Sequence, residues 1–304
     1  MSNFNQLSAI LGLVALGAMA SCSVKEDRSD CVEQQVFVEL RAFDYSMDEF
    51  GSSGPTTKAG DAADAVSQLA FKAFNSAGAE IYSATQSSSD AGFGTLSFSL
   101  APGSYTFVAV GNKLSANAPS DAMVSISSAS QATLPEALPT DVFSLTRAVT
   151  IEPRKTFATA MTLPRVMSQF KLVTSDVLPA NVKTFELIAN SEVAASDAFA
   201  SFDPSDGNLL ASRRWTKSAN VSASAGKQTI SFSLNMLLCS DEQAADITVN
   251  AYDSAGSLIT TLTLPDVPMK RNRVTTATGT LFDAGGSSTF SFSSDWLEPY
   301  AMTF

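Results

Sequence analysis

There is no histidine among the 304 residues of this chain. That absence removes the Ser-His-Asp and Cys-His constellations, histidine-ligated zinc and the usual near-neutral proton shuttle together. Charge is sparse at 16% of residues, and no uncharged apolar run reaches the roughly 20 residues that a membrane-crossing helix needs. Helical periodicity is missing as well, since only Asp241 to Ala245 suggests as much as one helical turn. Basic residues number 19 against 30 acidic ones, for a formal net charge of −11. Such a chain is repelled by nucleic acid and by anionic headgroups, so neither is an expected partner. Gly92-Phe93-Gly94 has Ser97 where a dinucleotide turn would place its third glycine. In Asp203-Pro204-Ser205-Asp206-Gly207 the acids are wrongly spaced for a calcium loop, and Arg214 stands where that loop needs a bidentate Glu, so a polar turn is the better reading. No spacing among the acids argues for a glycosidase pair. Neither a cofactor, a metal nor an enzymatic activity is expected.

What the chain does have begins at its N-terminus. Leu7 to Met19 is uncharged and apolar, and the small residues Ala20 and Ser21 precede Cys22. This is the layout of a secretory signal over residues 1–21, and it is similar to a bacterial lipobox, cut between Ser21 and Cys22 with acylation of Cys22. Each buried CH₂ of an acyl chain adds about 0.8 kcal/mol of membrane affinity, and two or more chains anchor stably. The alternative is a plain secreted protein cut near Ala20. Residues 22–32 are short, charged and aperiodic, a tether between lipid and fold. An exported chain can pair Cys31 with Cys239, although Cys239, following Met236-Leu237-Leu238, reads more simply as a buried small apolar residue.

The remaining residues favour β-structure, with 20 Phe and abundant Ser, Thr and Ala. In the first strand Val36, Val38, Leu40 and Ala42 face one way, and Glu39 and Arg41 the other. About twenty residues rich in Gly, Ser, Thr and Asp follow, Tyr45 to Ala65, and Arg41 and Lys58 are the trypsin-like sites nearest this cuttable stretch. Further strands are expected at Leu69 to Ala73, at 95–100 and 105–110 as a hairpin around Pro102-Gly103, at 142–145 and 149–151, and at Phe157 to Leu163. The stretch from Leu114 to Pro139 shows no strand pattern. Pro164-Arg165 interrupts the alternation, which places one domain at 33–164 and a second at 165–304. Thr229 to Leu234 echoes Thr95 to Leu100, and Tyr252 to Gly256 echoes Phe74 to Gly78, but in the opposite order, so no clean repeat is expected. Arg213-Arg214-Trp215 and Lys270-Arg271-Asn272-Arg273 read as solvated clusters or edge protection. Trp215, Trp296, Tyr82 and Tyr300 are candidates for a sugar-stacking platform, or for core and rim.

Cys22 with Ser23 to Cys31, the strand that follows, Asp44-Tyr45-Ser46-Met47-Asp48, the strand-turn Leu69 to Gly78, the turn at Pro102-Gly103, Val267 to Asn272 and finally Asp295-Trp296 resemble fimbrillin-type lipoproteins of Bacteroides-like bacteria, most of all the anchor or minor-subunit branch. The resemblance implies an all-β protein of two tandem transthyretin-like antiparallel sandwiches, lipid-anchored in the outer membrane, whose partners are other fimbrial subunits. It also implies strand exchange. Stalk and tip subunits lose the first strand to an Arg- or Lys-specific protease and accept a neighbour's strand, whereas anchors keep both lipid and strand. Carried onto this chain, Val36, Val38 and Leu40 mark the strand kept or removed, and Phe290 and Phe292 mark a C-terminal strand to donate. A surface glycan-binding lipoprotein is the alternative.

Overall fold

The computed structural model describes residues 32–42, 66–114, 123–135, 140–190, 192–193, 200–228, 230–282 and 290–293. Ser21, Cys22, Cys31, Lys58, Trp296 and Tyr300 lie outside them. The fold is all-β, two tandem sandwiches, with one short 3-10 turn at Ser222–Ser224 and no α-helix among the described residues.

The first half contains β1 (Gln34–Ala42), β2 (Gln68–Asn75), β3 (Glu80–Ser87), β4 (Thr95–Leu100), β5 (Gly103–Lys113), β6 (Ser125–Ser128), β7 (Gln131–Thr133), β8 (Asp141–Ile151) and β9 (Phe157–Leu163). The second contains β10 (Ser168–Thr174), β11 (Thr184–Ala189), β12 (Ser201–Phe202), β13 (Trp215–Asn220), β14 (Ile230–Met236), β15 (Glu242–Tyr252), β16 (Leu258–Lys270), β17 (Val274–Gly279) and β18 (Phe290–Ser293). The suggested helical turn at Asp241 to Ala245 is therefore strand from Glu242 onward, with Ala245 buried and paired with Val267 of β16.

Strand order exposes a duplication that the sequence hides. The sheets β4-β1-β9 and β3-β2-β5-β8 of the first half correspond one for one to β14-β10-β17 and β13-β11-β15-β16 of the second. In both halves the central strand of the smaller sheet is antiparallel to one neighbour and parallel to the other, β1 to β9 and β10 to β17, so the sheets are not purely antiparallel. The echo between Thr95 to Leu100 and Thr229 to Leu234 falls on the equivalent strands β4 and β14. The second echo marks equal turns at different places. Asn75 Oδ1 accepts from the N–H groups of Ala77 and Ala79, Asp253 Oδ1 accepts from those of Ala255 and Ser257, and Gly78 and Gly256 take φ of 77° and 78°. A positive φ is cheap only for glycine, which explains the shared spelling without shared position.

Two further expectations are corrected. β4 and β5 do not form a hairpin, because β4 pairs with β1 whereas β5 pairs with β2 and β8. Pro102 turns the chain from one sheet to the other, and Tyr105 Oη closes the corner by donating to Ala101 O at 2.8 Å. The stretch 114–139 also contains structure, the β6–β7 hairpin, and its buried Val124, Ile126, Ala132 and Leu134 belong to one cluster with Ala70, Phe74, Val108 and Val110 of β2 and β5. Both faces of β2 and β5 are thereby buried, since Leu69, Phe71, Ala73, Phe107 and Ala109 lie in the first half's own core.

The halves are joined three ways. The first cluster continues into the second half through Ala200, Phe202 and Leu209, and β12 pairs with β7 across the junction. The chain crossing is held by Arg165, 4% exposed, whose Nε lies 2.9 Å from both carboxylate oxygens of Asp141.

Candidate functional site

β1 is the element on which strand exchange would turn. It is the first described strand in the chain, yet it lies in the middle of its sheet, bonded to β4 over Gln34 to Glu39 and to β9 over Val36 to Ala42. Alternation decides its packing. Val36, Val38 and Leu40 are 0%, 1% and 4% exposed in the first half's core, whereas Phe37 and Glu39 face outward. At about 1.5–3 kcal/mol for each buried side chain of this size, the three contribute several kcal/mol. Withdrawing β1 would leave a slot between β4 and β9 with two open rows of backbone donors and acceptors above an apolar floor, the kind of surface that takes up an added strand. Arg41 lies within this ladder opposite Thr162, so a protease reaches its backbone only after local opening.

At the other end of the chain, β18 adds to the outer edge of β17, with Phe290 opposite Gly279 and Phe292 opposite Ala277. It has no counterpart beside β9 among the described residues. Asp176, just past β10, accepts from Leu281 N at 2.9 Å and from Phe282 N with the same oxygen.

The remaining candidates are dispersed. Trp215 is 1% exposed in the second half's core with Arg213 over its ring at 4.8 Å, while Tyr82 stacks on Phe98 in the first half at 3.9 Å. These two therefore build no common sugar platform. Cys239 is exposed, not buried, because it follows Leu237 and Leu238 out of the core, where its N–H donates to Gln243 Oε1. The Lys270 to Arg273 cluster follows the edge strand β16 and is more than solvated surface. Arg271 pairs with Asp241 and Asn208, Lys270 with Glu242, and Asn272 accepts from Arg165 Nη1 while its own N–H donates to Met167 O. This turn braces the junction. The polar turn at Asp203 to Gly207 is borne out and joins the same brace, with Asp203 Oδ1 accepting from Ser205 N and Asp206 Oδ1 from Asn208 N.

Burial sets the electrostatics. It pushes the Asp141 carboxyl above its ordinary range, and the Arg165 guanidinium pulls it partly back. Neighbouring groups also partly desolvate two residues that are exposed overall, which lowers Lys217, over the Phe232 ring at 5.4 Å, and raises the Cys239 thiol, disfavouring the reactive thiolate. Among the described residues no group of three acidic or cysteine side chains could hold a metal, and no helix is long and apolar enough to cross a membrane.

A family model described as a family of unknown function (DUF6562) matches residues 73–303, and the chain belongs to that family. No curated protein matches it in sequence. Among solved structures, a proposed adhesin of Bacteroides ovatus is similar with a TM-score of 0.54 at 13% identity, covering 86% of this chain and 94% of that one. A proposed adhesin of Bacteroides thetaiotaomicron is similar with a TM-score of 0.52 at 12% identity, covering 86% and 96%. The fimbrial anchor protein Mfa2 of Porphyromonas gingivalis aligns at a TM-score of 0.46 and 13% identity over 86% and 95%. At these identities the first two likenesses establish a shared fold.

Proposed function

We propose that this family member is a structural subunit of a surface fimbrium, held to the outer membrane through acylated Cys22, joined to its neighbours by exchanged β-strands, and without catalytic activity. The observation that carries the reading is the setting of β1, an N-terminal strand central to its sheet and bonded on both sides. One long connection joins it to β2, so a single cut there would make it removable. The shared fold with proposed Bacteroides adhesins supports a cell-surface location. Residues 33–164 and 165–304 are its two domains in this reading.

The lipobox-like start and the acidic stretch to Cys31 favour the anchor or minor subunit, which keeps lipid and β1, over a stalk or tip subunit. The N-terminus of the protein from native cells is the test. Acylated Cys22 supports the anchor. A start just after Arg41 or Lys58 overturns the anchor in favour of a polymerising subunit, and an unacylated start near Ala20 overturns lipid attachment altogether.

A further inference from the structure

Beyond Gly279 the chain has left the β17 ladder, and its next amide groups need new acceptors. Leu281 is 5% exposed, and Phe282 stacks on Phe185 with ring centroids 6.1 Å apart and planes 14° apart. A buried N–H left unpaired carries a substantial penalty. Both donors are satisfied by one oxygen of Asp176, Oδ2, while Oδ1 is buried and has no hydrogen-bond partner among the described residues. The adjacent backbone adds a bond, Ser175 N to Gly279 O at 2.8 Å. The carboxylate is thus committed to the point where the chain turns away from β17.

β18 is weakly held by comparison. It spans four residues and, among the described residues, pairs with a single neighbour, whereas β10, in the same sheet, is bonded on both sides. A short edge strand of this kind has little independent stability, so its place depends on where the preceding chain is fixed. We propose that Asp176 is the positioning residue of the C-terminal strand. By holding the backbone of Leu281 and Phe282 it fixes the exit from β17, and its loss frees the segment that contains β18 to pair elsewhere. The consequence for assembly rests on the proposed strand exchange, but the latch itself does not.

Hydrogen exchange on the full chain tests it with Asp176→Ala and Asp176→Asn, the second of which keeps one acceptor oxygen. The alanine variant is expected to speed exchange about tenfold or more at Leu281 and Phe282 and also at 290–293, with Leu187 and Val249 in the second core unchanged. The asparagine variant is expected to retain most of the protection. Unchanged exchange at 290–293 in the alanine variant overturns the proposal, because Asp176 would then hold only its own turn. Equal loss in both variants, core amides included, also overturns it, because the role would be general stability. If the latch opens as expected while incorporation into fimbriae on native cells is unaffected, the latch stands and donation of the C-terminal strand falls.

Discussion

Arg165 shows how one side chain can hold a junction. Its guanidinium meets the Asp141 carboxylate through Nε and Nη2, lies 5.1 Å from the Phe143 ring centroid and reaches Asn272 through Nη1. Removing one partner of a buried pair leaves the other charged and unsolvated, at a cost of about 3–5 kcal/mol. Arg165→Met should lose that much in urea denaturation at neutral pH, whereas Arg165→Met combined with Asp141→Leu should recover most of it. The direction of the pH response follows from Asp141. A carboxyl raised in the folded state binds its proton there before the unfolded chain does, so stability rises as pH falls through that interval. The Arg165→Met deficit should therefore narrow as pH falls from neutral toward the ordinary carboxylate range. A deficit independent of pH would show that no carboxylate was left stranded. Gly207 is a second sensitive position, with φ at 73° and Val166 Cβ 2.4 Å from where its own Cβ would stand. Gly207→Ala should cost more than about 1 kcal/mol by the same measurement. Neither role is legible in sequence, since Arg165 reads only as an interruption after Pro164 and the partners of both residues come from distant segments.

At the scale of the element, burial explains what the sequence could and could not show. β1, β4 and β9 alternate cleanly because one face packs inward and the other meets solvent. β2 and β5 are covered on both faces, so their patterns run together, and the β6–β7 hairpin that covers them is spelled in Ser, Ala and Thr, which mimic a loop. Turn chemistry at Pro102 foretold a reversal but not which sheet the chain would join. The same logic made β1 recognisable and makes it testable. Leu40→Ala removes one of its three core side chains and should destabilise the first half by about 2–5 kcal/mol, monitored by exchange at Phe107 and Ala109. Glu39→Ala, on the outer face, should change it by less than about 1 kcal/mol, the range of an exposed polar or charged contact. Equal effects would mean that β1 is not packed as its alternation requires.

At the scale of the whole molecule, duplicated sandwiches invite comparison with beads on a string, but the contacts argue otherwise. One apolar cluster runs from Ala70 and Phe74 of β2 through Val124 and Leu134 to Phe202 and the core around Trp215. β12 extends the β6–β7 hairpin with second-half backbone, Leu134 N donates to Ala200 O at 2.8 Å, and Asn235 Nδ2 donates to Thr140 O. Units that share a core and a sheet lose stability together when either opens, so the two halves should unfold in one transition despite a length at which separate domains are common. Trp215 reports the second half and far-UV circular dichroism reports both, so in a Trp296→Phe background the two urea curves should coincide. Phe202, fully buried at the junction, is the residue whose loss should separate them. Phe202→Ala removes an aromatic from the shared cluster, at about 3–5 kcal/mol, most of it interfacial, and should resolve two midpoints. Two transitions in the unaltered chain would show instead that the junction is a passive contact, and that a cut or exchange of strands in one sandwich need not be felt by the other.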